Sequence, residues 1–169
     1  MSGRSVLILG GARSGKTRRA LRLGEPFAER VYIATAEPLD AEMGDRIDRH
    51  QRERGAAWTT VEAPIDLPGA IAAVPAGAAG VVDCLTLWLS NLMHAGCDVE
   101  AATDALLEAT LACPATLFIV SNEVDLGLVP ETALGRAFRD AQGRLNQTVA
   151  AAATEVEFIA AGLPIRLKP

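Results

Sequence analysis

The segment Gly10-Gly11-Ala12-Arg13-Ser14-Gly15-Lys16-Thr17 places three glycines, a lysine and a threonine within eight residues. The spacing is GxxxxGK[ST] in full, and the chemistry it suits is the holding of a phosphate chain. Glycine permits backbone angles that turn several N–H groups onto one anion. Lys16 can then reach the β- and γ-phosphates, and the Thr17 hydroxyl can ligate Mg²⁺. These residues define a nucleoside triphosphate site with Lys16 in a catalytic role. They do not define the reaction, because kinases, ATPases, GTPases and nucleotidyltransferases all use such a loop.

Two acids lie beyond apolar runs, where ligands of open α/β sheets bind. Asp83 ends Val81-Val82-Asp83, and Glu123 follows Val120-Ser121-Asn122. Asp83 suits the acid that holds Mg²⁺ together with Thr17. The alternative is that it only caps the helix that begins near Leu85. Glu123 can bind substrate or metal, or only begin a turn.

The chain has two histidines. His94 falls near the end of an apolar helix, where a cation favourable to the helix dipole explains it. Glu42, Arg46, His50 and Arg54 are spaced by four throughout, so a helix gathers them into one stripe. That stripe reads as a solvated face laced with ion pairs. It also reads as a nucleophilic imidazole between two phosphate-binding arginines. A neutral histidine nitrogen attacking an α-phosphorus would form a nucleotidyl-histidine and release pyrophosphate.

Apolar runs at Val6 to Leu9, Val31 to Thr35, Gly80 to Asp83 and Thr116 to Ser121 predict buried parallel strands. Trp58 to Val61 predicts a shorter one. Helices are expected from Thr17 to about Glu29, Asp40 to about Arg54, Ile65 to Ala73, Leu85 to Met93 and Val99 to Ala112. A long helix with Pro130 in its first turn should run to about Ala153. Glu155 to Ala160 and Ile165 to Lys168 predict closing strands joined by a turn at Gly162 and Pro164, one antiparallel at an edge. Gly69 to Gly80 is the expected flexible stretch. Alternating strands and helices predict an α/β fold with a mostly parallel sheet, residues 1–169 forming a single P-loop nucleotide-binding domain.

Only 4% of residues are aromatic although half are apolar, so the core must rest on Val, Leu, Ile and Ala. The net charge of −5 gives no basic footprint for nucleic acid. Cys84, Cys97 and Cys113 fit no metal spacing, and free thiols suit a reducing compartment. No apolar run reaches roughly 18 residues and no signal peptide precedes the first strand, so a soluble cytoplasmic protein without a transmembrane segment is expected.

Four segments together resemble the bifunctional adenosylcobinamide kinase/adenosylcobinamide-phosphate guanylyltransferases. They are GGARSGKT at Gly10 to Thr17, YIATAEPLDAEMGDRIDRHQRERGAAW at Tyr32 to Trp58, VVDCLTLWLSNLM at Val81 to Met93, and VSNEVDLGLVPETALGRAFRDAQGRLNQ at Val120 to Gln147. The resemblance spans about Val6 to Lys168. It implies phosphorylation of the corrinoid adenosylcobinamide with ATP or GTP, then transfer of GMP from GTP to the new phosphate through a histidine. That histidine corresponds to His50 in the pattern RIxxH. The resemblance also implies a RecA-like fold and a homotrimer. One departure is Asp125, where such enzymes usually carry glycine. A kinase lacking the second reaction, and a nucleotide-dependent switch, are the competing readings.

Overall fold

The computed structural model describes residues 3–37 and 57–169. Their centre is a seven-stranded sheet of order β3-β2-β4-β5-β1-β6-β7. The strands are β1 (Ser5–Gly10), β2 (Arg30–Ala34), β3 (Thr59–Glu62), β4 (Ala79–Asp83), β5 (Thr116–Asn122), β6 (Glu155–Ala160) and β7 (Leu163–Lys168). All neighbours pair in parallel except β6 and β7, which run antiparallel as expected for the edge. The helices are α1 (Lys16–Gly24), α2 (Leu67–Ala72), α3 (Leu85–His94), α4 (Val99–Ala112) and α5 (Ala133–Ala152). The predicted helix from Asp40 to Arg54 lies outside the described residues.

Strand alternation divides the core into two layers, because successive side chains leave a strand on opposite faces. Leu7, Leu9, Val82, Leu117 and Ile119 pack on one face with Leu67, Trp88, Leu106 and Leu145 of α2 to α5. Val6, Ile8, Tyr32, Val81, Phe118 and Val120 pack on the other with Ala20 of α1. The core is aliphatic, as the composition demands. Fully buried Trp88 adds its ring, and its indole N–H donates to the Ile65 carbonyl at 2.8 Å.

Several features differ from expectation. Helix α1 stops at Gly24 because Pro26 two residues on cannot supply a backbone N–H. A Cβ on Gly24 would come within 2.5 Å of the Trp58 ring, so the short residue admits the segment before β3. Helix α5 begins after Pro130, since Thr132 caps it by accepting from the Gly135 N–H at 3.0 Å. At its other end Lys168 donates to the carbonyls of Ala150, Ala151 and Ala153. The β6–β7 turn is Ala161-Gly162, with φ of 51° and 81°, and Pro164 lies inside the edge strand. The stretch from Gly69 to Gly80 is ordered by α2, by buried Val74 and Ala78, and by β4.

Candidate active site

The loop between β1 and α1 closes around its own glycines. A Cβ on Gly10 would lie 2.7 Å from the Ile159 carbonyl oxygen of β6 and 2.8 Å from Ser14 Oγ. Gly15 sits at φ 101° immediately before α1, and no side chain caps that helix. The first amides of α1 are thus left to an incoming anion. Arg13 also has positive φ, at 55°. The loop is braced from outside by Gly162, whose N–H donates to the Ser14 carbonyl at 2.9 Å. Arg19 forks onto Glu157 at 2.8 and 2.7 Å, tying α1 to β6, and this contact raises the Arg19 pKa.

Lys16 is buried, and its ammonium donates to the Gly11 carbonyl and lies 3.5 Å from Ser14 Oγ. A loop carbonyl is a modest partner for a buried cation, so a phosphate oxygen can displace it.

Asp83 faces Thr17 across the cradle. Its Oδ2 accepts from Thr17 Oγ1 at 2.8 Å and from Tyr32 OH at 2.7 Å. The residue preceding α3 is Cys84, and that helix has no side-chain cap, so the capping alternative does not hold. Strand β5 separates β4 from β1, so the Thr17–Asp83 contact joins the helix that follows β1 to a strand that is not β1's neighbour. An Asp and a Thr hydroxyl at one point form a hard oxygen donor set. This suits Mg²⁺, which takes one or two protein oxygens and completes its shell with phosphate and water.

Tyr32 was not anticipated. It is the chain's one tyrosine, but nothing in its spacing points toward Asp83. Beneath this cluster, Thr35 Oγ1 donates to the Cys84 carbonyl at 2.7 Å and accepts from the Cys84 N–H at 2.8 Å. The peptide joining Asp83 to Cys84 is cis. Burial, and secondarily the Asp83 charge, pushes the Cys84 thiol up to about 11. Cys84 and Cys113 are buried, whereas Cys97 is partly exposed. Alkylation of the folded protein should therefore reach Cys97 first, with Cys84 and Cys113 modified only in denaturant. Mass spectrometry of timed samples checks this, and equal native rates at Cys84 and Cys97 would refute it.

Glu123 opens a turn. Its N–H donates to the Gly10 carbonyl at 3.0 Å, and its carboxylate accepts from the Asp125 N–H at 3.0 Å, forming a turn. Asp125 does not strain that turn, since the positive-φ non-glycine residues among those described are Arg13 and Ala161. Its carboxylate occupies space beside Gly143 of α5, where a Cβ would come within 2.6 Å. His94 ends α3 with Nδ1 2.7 Å from the Ser90 carbonyl oxygen, as a helix-terminal residue. Arg46, His50 and Arg54 lie outside the described residues.

The cradle, the central strand order and Asp83 opposite Thr17 define a P-loop nucleotide-binding domain of the α/β class. A family model described as cobinamide kinase / cobinamide phosphate guanyltransferase matches residues 6–167. The bifunctional adenosylcobalamin biosynthesis protein CobP of Pseudomonas aeruginosa is 46% identical over 168 residues, covering 96% of each chain. The CobU proteins of the same description from Escherichia coli K12 and Salmonella typhimurium are 37% and 38% identical over 96% of this chain and 99% of their own. Two solved structures share the fold. A Pyrococcus horikoshii OT3 protein has a TM-score of 0.58 at 10% identity, covering 99% of this chain and 87% of that one. The P4 protein of bacteriophage phi13 has a TM-score of 0.50 at 12% identity, covering 96% and 53%. The chain belongs to the cobinamide kinase / cobinamide phosphate guanyltransferase family, and is a bifunctional kinase and guanylyltransferase of cobalamin biosynthesis. Among the described residues no helix is long and apolar enough to cross a membrane.

Proposed function

We propose that the chain phosphorylates adenosylcobinamide with ATP or GTP at the Gly10 to Thr17 cradle, then transfers GMP from GTP through His50 to the new phosphate. In the first reaction the corrinoid hydroxyl oxygen bonds to the γ-phosphorus as the β–γ bridge breaks and nucleoside diphosphate leaves. Lys16 and the amides of Gly11 to Lys16 stabilise charge on the phosphate chain. Thr17 and Asp83 would hold Mg²⁺, which when bound neutralises phosphate oxygens. In the second reaction a His50 nitrogen bonds to the α-phosphorus of GTP and pyrophosphate leaves. The corrinoid phosphate then takes the guanylyl group, giving adenosylcobinamide-GDP and free His50. Arg46 and Arg54 clamp the triphosphate.

The observation that supports this reading best is the convergence of Thr17 and Tyr32 on one Asp83 oxygen opposite the cradle, in a chain of this family. We place the work in a single domain of residues 1–169 that acts in the cytoplasm as a homotrimer. Exposed Leu163, Ile165 and Leu167, alternate residues of edge strand β7, supply apolar surface for such an assembly. The test of the covalent step is GTP labelled at the α-phosphate, incubated with protein and Mg²⁺ and then denatured. Label lost in acid and kept in alkali identifies a phosphoramidate and supports the route. An unlabelled chain that demonstrably binds GTP and still phosphorylates cobinamide would reduce the activity to that of a kinase.

A further inference from the structure

We infer that Asn122 is a further catalytic residue, whose carboxamide contacts the transferring phosphoryl group and the acceptor hydroxyl. This deepens the kinase reaction proposed above and rests on it.

Three observations place Asn122 there. The first is its face. Phe118 and Val120 of β5 pack on the α1 side of the sheet, together with Val81 of β4 and Val6 and Ile8 of β1. Alternation along β5 carries Asn122 to that same side, and alternation along β4 carries Asp83 there. The second is its register. Asn122 stands opposite Gly10, the entry to the cradle, while Asp83 stands opposite Val120, two residues earlier on β5. Because β5 lies between the cradle strand and the Asp83 strand, its last residue is set between the two groups that hold the triphosphate.

The third is how the position is held. The Asn122 N–H donates to Thr86 Oγ1 of α3 at 2.8 Å, and its carbonyl accepts from Asn146 Nδ2 of α5 at 3.1 Å. The next residue is tied to the cradle through the Glu123 N–H and the Gly10 carbonyl. Asn146 is itself set by a buried polar group. Ser121 Oγ donates to Asn146 Oδ1 at 2.6 Å, and Gln142 Nε2 donates to Ser121 Oγ at 3.0 Å and Asn146 Oδ1 at 2.9 Å. Ser121 and Gln142 are fully buried, and Gln142 Oε1 has no hydrogen-bond partner among the described residues. An apolar trio would fill the same space without that cost, so what the group supplies is a fixed backbone at Asn122. The half-buried Asn122 side chain, in contrast, has no hydrogen bond among the described residues.

A carboxamide in this place has one donor end and one acceptor end. The NH₂ donates to a γ-phosphoryl oxygen, and the carbonyl accepts from the attacking hydroxyl and aims its lone pair at phosphorus. The oxygen–phosphorus bond forms as the β–γ bridging bond breaks. Nucleoside diphosphate departs, and the hydroxyl proton is released to solvent. The amide remains neutral throughout.

The experiment measures single-turnover phosphorylation of cobinamide, MgATP affinity and melting temperature for wild type, Asn122→Ala, Asn122→Ser and Asn122→Asp. Loss of one oriented contact to the transition state should lower the rate of Asn122→Ala by about tenfold to a hundredfold. MgATP affinity should stay within about threefold, because the contact strengthens in the transition state. Asn122→Ser, which keeps a donor, should recover part of the rate. Asn122→Asp should be the slowest, since it sets a negative charge against the phosphoryl oxygens. A wild-type rate in Asn122→Ala overturns the inference, and so does a rate loss matched by lost affinity or by a collapsed melting temperature in both the Ala and Ser variants. Inactive wild-type protein would instead overturn the kinase reading beneath it.

Discussion

Lys16→Ala loses about 10²- to 10³-fold in phosphoryl transfer while the protein stays folded. Lys16 is the buried cation of the cradle, held to the Gly11 carbonyl in the structure described here. Charge accumulates on the β–γ bridging oxygen and the γ-phosphoryl oxygens as the bond breaks, and a fixed ammonium in a water-poor site opposes that charge strongly. Removing it costs the transition state more than the ground state, so kcat falls further than nucleotide affinity. The fold depends on it little. Its ammonium donates to a loop carbonyl, that of Gly11, and taking a buried charge away relieves desolvation. The melting temperature should therefore move by no more than about 4 °C, the shift that roughly 1 kcal/mol produces in a domain of this size. Lys16→Arg should not rescue, because a planar fork cannot take the place of a point charge inside a closed loop. Single-turnover kinetics beside thermal melts provide the check. A variant within about tenfold of wild type would remove Lys16 from the catalytic role.

The second large effect separates the two reactions. His50→Ala should abolish GMP transfer, by about 10³-fold or more, and leave cobinamide phosphorylation within about threefold. A covalent route cannot proceed without its nucleophile, and water in the vacated space would hydrolyse GTP rather than pass on the guanylyl group. The phosphoryl transfer proposed above relies on Lys16, Thr17 and Asp83 and does not involve His50. The variant should accumulate adenosylcobinamide phosphate when given both triphosphates, and chromatography of the corrinoid products measures this directly. Persistence of adenosylcobinamide-GDP at the wild-type rate would exclude the histidine route while leaving the kinase intact. Loss of both reactions would show that His50 serves nucleotide binding in general.

Much of this was legible in the chain because it is local. The spacing of Gly10, Gly15, Lys16 and Thr17 encodes a loop whose backbone angles and charges act within eight residues. Apolar runs of four to six residues encode buried strands, since a parallel sheet covered on both faces needs no alternation. Residue types at strand ends then pointed to Asp83. Boundaries were less legible where two local signals competed, as at Pro130 and Thr132, and there the side-chain acceptor prevailed. Likewise the left-handed angles of Ala161 and Gly162, not Pro164, form the hairpin turn.

The sequence by itself determined that this chain holds a nucleoside triphosphate, and its four motif segments pointed to the family. Strand order was decided only by the tertiary structure, because inserting β5 between β1 and β4 depends on how helices cover both faces and leaves no mark at any one residue. That insertion brings Asp83 to Thr17, turns Tyr32 onto the same oxygen, and sets Asn122 between them and the cradle. These contacts join residues far apart in the chain, so spacing cannot disclose them. They arise because a parallel sheet delivers the carboxyl ends of its strands to one edge, whatever their order in sequence.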